Sequence, residues 1–174
     1  MDKAKKKKIV QETKKNIFSA GFITTNAKQT QKIGELLAQE ILAGSRRKGS
    51  TFEMKKEAPR SNLGRAMVIC LSGDLGSGKT TFTQGLLEGL KVAGPYISPT
   101  FVIMKKYKNN IFHFDAYRVS AKDILNIGWE EIIKDKNNII IVEWADRIKK
   151  IIPKNSLWIK FEWVDANKRK VTFN

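Results

Sequence analysis

Residues 66–82 read AMVICLSGDLGSGKTTF. The first seven form a continuous apolar run, as expected of a strand covered on both faces of a sheet. The run ends in a glycine-rich loop, and within it Gly73, Gly78, Lys79 and Thr80 satisfy the pattern G-x-x-x-x-G-K-[ST]. The chemistry requires these residue types at this spacing. Glycines let the backbone curl until several N–H groups point at one anion, and the helix that starts there adds the positive end of its dipole. Lys79 then reaches the β- and γ-phosphates, and the Thr80 hydroxyl binds Mg2+. The expected nucleotide cradle is therefore Gly73, Asp74, Leu75, Gly76, Ser77, Gly78, Lys79, Thr80 and Thr81, with ATP and Mg2+ as its ligands. KTTFTQGLLEGL continues as a helix with Phe82, Leu86 and Leu90 on one side.

A phosphate loop of this kind needs acidic groups at the C-terminal ends of neighbouring strands, to hold Mg2+ and to position water. Asp115 ends the run IFHFD and Glu143 ends IIIVE. Both follow apolar strand residues, where an idle charge would be costly; a helix or turn cap is the alternative use of either. His113 is the only histidine and shares a strand face with Asp115, so a structural hydrogen bond is its preferred reading. Trp144 follows Glu143 and is read either as a neighbour of the nucleotide or as core. SPTF, residues 98–101, offers Ser98 and Thr100. A loop hydroxyl near the γ-phosphate is a natural nucleotide sensor; an ordinary turn entering a strand is the alternative.

Outside these motifs, the chain alternates strands and helices. Residues 17–24 are expected as a first strand, and 25–44 as a helix capped by Thr25 or Asn26 and stopped by Gly44. FVIMKKY and IFHFDAY flank a KNN turn, SAKDILNIGWEEII divides into two short helices near Gly128, and ADRIKKII is a short helix ended by Pro153. LWIKFEW and RKVTF are strands around a DANK turn. The pattern specifies an α/β fold of the P-loop NTPase kind, with a central mostly parallel or mixed sheet flanked by helices. Residues 1–15 are expected as a disordered basic arm, and 16–174 as one domain with an insertion at about 45–65.

Composition bounds the setting. The 174 residues include 33 Lys and Arg against 17 Asp and Glu, a formal net charge of +16. The first 66 residues hold 16 basic and 6 acidic side chains. Such an excess is read equally as attraction to a polyanion such as RNA or as a solvated surface. Cys70 is the only cysteine, which excludes an internal disulfide and fits a reducing cytoplasm. No apolar run approaches the ~18 residues that span a membrane. A cytoplasmic protein without membrane contact is expected.

Taken in order, GDLGSGKTTF, SPTF, HFDAYR, GWEEI and VEWADR resemble the bacterial TsaE (YjeE) family over roughly residues 22–174. The loop alone is shared by many families; its combination with SPTF, HFD-x-YR and VEW is far more specific. The resemblance implies a small Mg-dependent P-loop ATPase needed to make threonylcarbamoyladenosine in tRNA, at the adenosine beside the anticodon. It implies TsaD and TsaB as partners, with tRNA met through that complex, and ATP hydrolysis that is slow alone and resets the complex between cycles. By position, Lys79 would bind phosphate, Thr80 and Glu143 would hold Mg2+, Asp115 would join the same metal and catalytic cluster, and Thr100 would lie in a switch-like loop. Tyr117 and Arg118 would serve positioning or partner contact. The 45–65 insertion and the basic arm depart from the family pattern without touching a motif.

Two other readings stand beside this one. A small-molecule or nucleoside kinase fits the size, but needs an arginine-bearing lid, and the region after Glu143 is short. An RNA-binding module with incidental ATP rests on the basic front third alone.

Overall fold

The computed structural model describes residues 21–46, 64–96, 98–99 and 102–174. The expected basic arm, the first residues of the expected 17–24 strand, residues 47–63 of the insertion, and Thr100 lie outside the described residues. The elements are β1 (Phe22–Thr24), α1 (Ala27–Arg46), β2 (Met67–Ser72), α2 (Lys79–Gly89), β3 (Met104–Tyr107), β4 (Ile111–Asp115), α3 (Ala121–Asn126), α4 (Trp129–Lys134), β5 (Ile139–Glu143), a 3₁₀ helix (Ala145–Ile151), β6 (Leu157–Trp163) and β7 (Arg169–Phe173). They form one mixed seven-stranded sheet in the order β1-β7-β6-β2-β5-β4-β3. The centre, β6-β2-β5-β4, is parallel, and the outer pairs β1–β7, β6–β7 and β3–β4 are antiparallel.

Strand alternation sorts the side chains into two cores. Ile69, Leu71, Ile141, Ile159 and Phe161 face Leu37 of α1 and Phe82 and Leu86 of α2. Val68, Cys70, Phe114, Ile140 and Val142 face Ile124, Trp129 and Ile148 on the other side. Trp129 packs edge-on to Phe114 at 5.3 Å between ring centroids, and its indole Nε1–H donates to the Ile151 carbonyl at 3.2 Å. Burial on both faces is why β2 and β5 read as unbroken apolar runs. Among the described residues, no helix is long and apolar enough to cross a membrane.

Helices α1 and α2 meet backbone to backbone. A Cβ built on Gly85 would lie 2.0 Å from the Gln31 carbonyl oxygen, one on Gly34 would lie 2.3 Å from the Phe82 oxygen, and one on Gly89 would lie 2.6 Å from the Ala38 Cβ. Asn26 caps α1, its Oδ1 accepting from the Gln29 N–H at 3.0 Å. The helix does not stop at Gly44 but continues to Arg46. A glycine that stays helical costs only ~1 kcal/mol against alanine, which a helix of 20 residues absorbs. The KNN turn appears as expected, with Asn109 and Asn110 at φ 62° and 56° between β3 and β4. Gly128, at φ 88°, separates α3 from α4.

The parallel centre positions the site. Glu143 is the register partner of both Leu71 on β2 and Asp115 on β4. The loop after β2 and both carboxylates therefore emerge at one end of the sheet.

Candidate functional site

The loop leaving β2 is shaped by its glycines. Gly73 lies at φ 134°, and a Cβ there would stand 2.1 Å from the Phe161 carbonyl oxygen, so no other residue fits. Gly78, at φ 104°, is the N-cap of α2 and offers no side chain to the helix start. The first N–H groups of a helix have no intrahelical acceptor, so this end is built for an anion.

Lys79 opens α2 and is only 5% exposed. Its ammonium donates to the carbonyls of Gly73 at 2.6 Å and Asp74 at 2.8 Å, and to Ser77 Oγ at 3.5 Å. It thus ties across its own loop. Burial pushes its pKa down; the negative charges of Glu143, Asp146, Asp115 and Asp74 oppose that shift and favour the ammonium. Trp144 leaves β5 in the left-handed region, at φ 59°, and its ring centroid lies 3.8 Å from the Lys79 Nζ. Tyr117 stacks on Trp144 at 4.8 Å, with the guanidinium carbons of Arg118 and Arg147 each 6.0 Å from the Tyr117 ring. Trp144 is half-buried and combines both placements, packing against the second core while its ring lies beside Lys79.

Both carboxylates arrive at this loop. Glu143 is 1% exposed. Its Oε2 accepts from the Thr80 hydroxyl at 2.8 Å, and its Oε1 lies 3.0 Å from His113 Nε2. Asp115 accepts from Ser98 Oγ at 2.8 Å and from the Tyr117 N–H at 2.9 Å. It therefore makes a turn contact and anchors the start of SPTF at the same time. The chain beyond Pro99 is fastened to the same strand end, because the Ile103 carbonyl accepts the Asp115 N–H at 3.0 Å.

The sequence motifs do not disclose Arg169. Its Nε donates to the Gly76 carbonyl at 2.9 Å, and its Nη1 donates to the carbonyls of Asp165 at 2.8 Å and Lys168 at 3.0 Å. The guanidinium joins the phosphate loop to the β6–β7 turn, across a separation of 93 residues that leaves no spacing signal.

The donor set fits a hard cation. A hydroxyl and a carboxylate, Thr80 and Glu143, stand side by side, with Asp115 in register next to Glu143. Among the described residues, no three His, Cys, Asp or Glu side chains form a metal cage. Mg2+ does not need one, since it is usually held by one or two protein oxygens, waters and substrate phosphate.

Residues 24–171 match the family model for the threonylcarbamoyl adenosine biosynthesis protein TsaE. The chain is 37% identical over 109 residues to a tRNA threonylcarbamoyladenosine biosynthesis protein TsaE from Bacillus subtilis, covering 61% of this chain and 68% of that one. It is 37% identical over 142 residues to the protein of the same description from Aquifex aeolicus, covering 79% of this chain and 96% of that one. Its fold is similar to the crystal structure of Bacillus subtilis YdiB, with a TM-score of 0.62, 28% identity, and coverage of 88% of this chain and 82% of that one.

Proposed function

This chain belongs to the TsaE family, whose members serve tRNA threonylcarbamoyladenosine biosynthesis, and on that premise we propose that it is a Mg-dependent ATPase acting as an accessory subunit to TsaB and TsaD. The observation that carries the reading is the 2.8 Å contact between Thr80 and Glu143 beside the curled loop and Lys79. It supports the reading because it brings the Thr80 hydroxyl and the Glu143 carboxylate together beside the Lys79 ammonium, the groups that would hold metal and phosphate.

In this reading the loop from Gly73 to Thr81 wraps the phosphates with its N–H groups. The three N–H groups of Lys79, held by the Gly73 and Asp74 carbonyls and Ser77 Oγ, would exchange contacts of their own loop for the β- and γ-phosphates. Thr80 and Glu143 would hold the cation between them, from the start of α2 and the end of β5. Bound Mg2+ supplies charge neutralisation of the phosphates and a fixed geometry for displacement at phosphorus. Asp115 or Glu143 accepts a hydrogen bond from the attacking water. Ser98 would carry any change at Asp115 into the SPTF segment, whose Thr100 is the proposed sensor. Tyr117 and Arg118 flank the same edge and serve positioning or partner contact. Among the described residues Arg169 reaches the phosphate loop and is occupied there by carbonyls, and in this reading an arginine finger comes from outside the chain. A site that lacks such a group turns over slowly until a partner supplies one. Contact with tRNA then comes through the assembled complex.

The test is ATP turnover by the purified chain, alone and with the TsaB and TsaD proteins of the same organism. Slow turnover that rises on addition of the pair, and vanishes in Lys79→Ala, supports the reading. Turnover indifferent to the pair, or seen only with a small phosphoryl acceptor, overturns it in favour of a kinase.

A further inference from the structure

His113 stands on β4 two residues before Asp115 and is 2% exposed. Its Nε2 lies 3.0 Å from Glu143 Oε1. A carboxylate oxygen only accepts, so Nε2 carries the proton and donates. Among the described residues, the other ring nitrogen, Nδ1, is buried with no hydrogen-bond partner. A buried polar atom without a partner destabilises a fold. If His113 were only filling the core, an apolar side chain of similar size would do so without that orphan. The imidazole is kept for what its other nitrogen does.

What it does is hold Glu143. The carboxylate sits between two donors, Thr80 from α2 on one oxygen and His113 from β4 on the other. The two donors differ in freedom. Thr80 is in the first turn of the helix behind the phosphate loop, and its hydroxyl rotates. His113 is fixed in the sheet, on the strand next to β5, with Ile141 as its register partner two residues before Glu143. If the Thr80 hydroxyl is taken up by a cation, Glu143 retains only His113.

We propose that His113 is a positioning residue for Glu143, holding Oε1 so that Oε2 stays aimed at the cation site beside Thr80. The inference rests on the ATPase reading above. It assigns His113 no contact with substrate and no proton transfer. Partners of this kind, which orient a ligating or catalytic group, typically change metal affinity or activity 10- to 100-fold.

Three variants of the full-length chain test it, each assayed with TsaB and TsaD. His113→Gln carries an amide N–H near the position of the imidazole Nε2. His113→Asn carries one near Nδ1, too short to reach Glu143. His113→Leu has no donor. The readouts are kcat, KM for ATP at saturating Mg2+, and, without turnover, the Mg2+ concentration giving half-maximal binding of a fluorescent ATP analogue. We expect His113→Leu and His113→Asn to lower kcat and raise the half-maximal Mg2+ concentration by about 10-fold or more, with KM for ATP within about threefold of wild type. His113→Gln should recover kcat to within about fivefold. Thermal melts report folding; if His113→Leu does not fold, the comparison of His113→Gln with His113→Asn decides. Three outcomes overturn the proposal: His113→Gln as impaired as His113→Asn, His113→Asn equal to wild type, or a fall in kcat with a rise in KM for ATP and unchanged Mg2+ dependence. A wild-type chain with no Mg-dependent turnover refutes the ATPase reading, and this proposal fails with it.

Discussion

Glu143→Gln separates the charge of the carboxylate from its shape. In the wild type, Oε2 accepts from Thr80 at 2.8 Å and Oε1 faces His113 Nε2 at 3.0 Å. Glutamine preserves both contacts if its oxygen faces His113 and its NH2 faces Thr80, because a hydroxyl accepts as readily as it donates. Two charge-assisted bonds become neutral, a loss of roughly 1 kcal/mol each. Against this, a carboxylate 1% exposed no longer needs to be desolvated, a gain of the same order. The net change in stability is within about 1 kcal/mol, or about 2–4 °C in Tm for a chain of this size. Function fares differently. The charge that faces the cation is gone, and so is the base character available to a nearby water, which is worth roughly 10²-fold or more in rate. Lys79 also loses the largest of the negative charges that favour its ammonium. We expect ATP turnover, measured as phosphate release in the presence of TsaB and TsaD, to fall by at least about 100-fold. Binding of a fluorescent ATP analogue should change by less than about fivefold. A Glu143→Gln protein with wild-type Tm and turnover within a factor of about two would refute the assignment of this carboxylate.

Gly85→Ala forces a Cβ to within 2.0 Å of the Gln31 carbonyl oxygen and 2.7 Å of its Cα, both backbone atoms that cannot swing aside. Helices α1 and α2 must separate, at a cost of about 3 kcal/mol by urea denaturation; a loss below about 0.5 kcal/mol would show that they are not in backbone contact. Arg169→Gln removes the bridge from Gly76 to the β6–β7 turn and should weaken ATP binding at least about 10-fold, as one charged hydrogen bond is worth. Arg169→Lys should not restore it, since a single ammonium does not span both carbonyls; full recovery with lysine would mean that charge alone matters. Burial pushes the Cys70 thiol up to about 12. Because the folded value is raised, this contribution is complete below the range of a free thiol and is lost as pH rises from about 9 toward 12. Between pH 8 and 10, wild type should therefore lose about 1.4 kcal/mol more stability than Cys70→Ala, and parallel curves would contradict it.

Much of the site was legible because its signals are local. The phosphate loop is written in ten consecutive residues, and its glycines answer to backbone angles that their own peptide units require. Asp115 and Glu143 were legible because a charge at the end of an apolar run has few uses. The fold class followed from β2 and β5, whose unbroken apolar runs require cover on both faces. What stayed hidden depends on partners distant in the chain. His113 meets Glu143 across 30 residues and Arg169 meets Gly76 across 93, while the pairing of Thr80 with Glu143 across 63 was implied by the family resemblance alone. No periodicity encodes such pairings; only the strand order brings them together. Gly34, Gly85 and Gly89 are visible as letters, but their purpose appears only when the second helix is laid against them. Gly44 misled for the opposite reason. Glycine permits a helix end without compelling one, and α1 continues past it to Arg46.

The distribution of charge explains why the cradle and the carboxylates belong together. Lys79 is influenced by four acidic side chains, Glu143, Asp146, Asp115 and Asp74. A triphosphate entering alone would meet that negative field, and the loop N–H groups and one ammonium would have to overcome it. A divalent cation reverses the balance, turning the same carboxylates from repulsive neighbours into ligands or orienting groups. On the proposed reading, then, nucleotide and metal arrive as a unit. On the same reading, the 2.8 Å contact between Thr80 and Glu143 would be exchanged for the cation. The contact exchanged on this reading lies at the metal edge of the site. That edge is where Asp115 holds Ser98, and just beyond Pro99 the chain presents Val102 to solvent at 66% exposure. Leu75, at 75%, is presented from the phosphate loop itself. A partner that reads the state of the metal edge would find an apolar side chain on each of the two loops that border it.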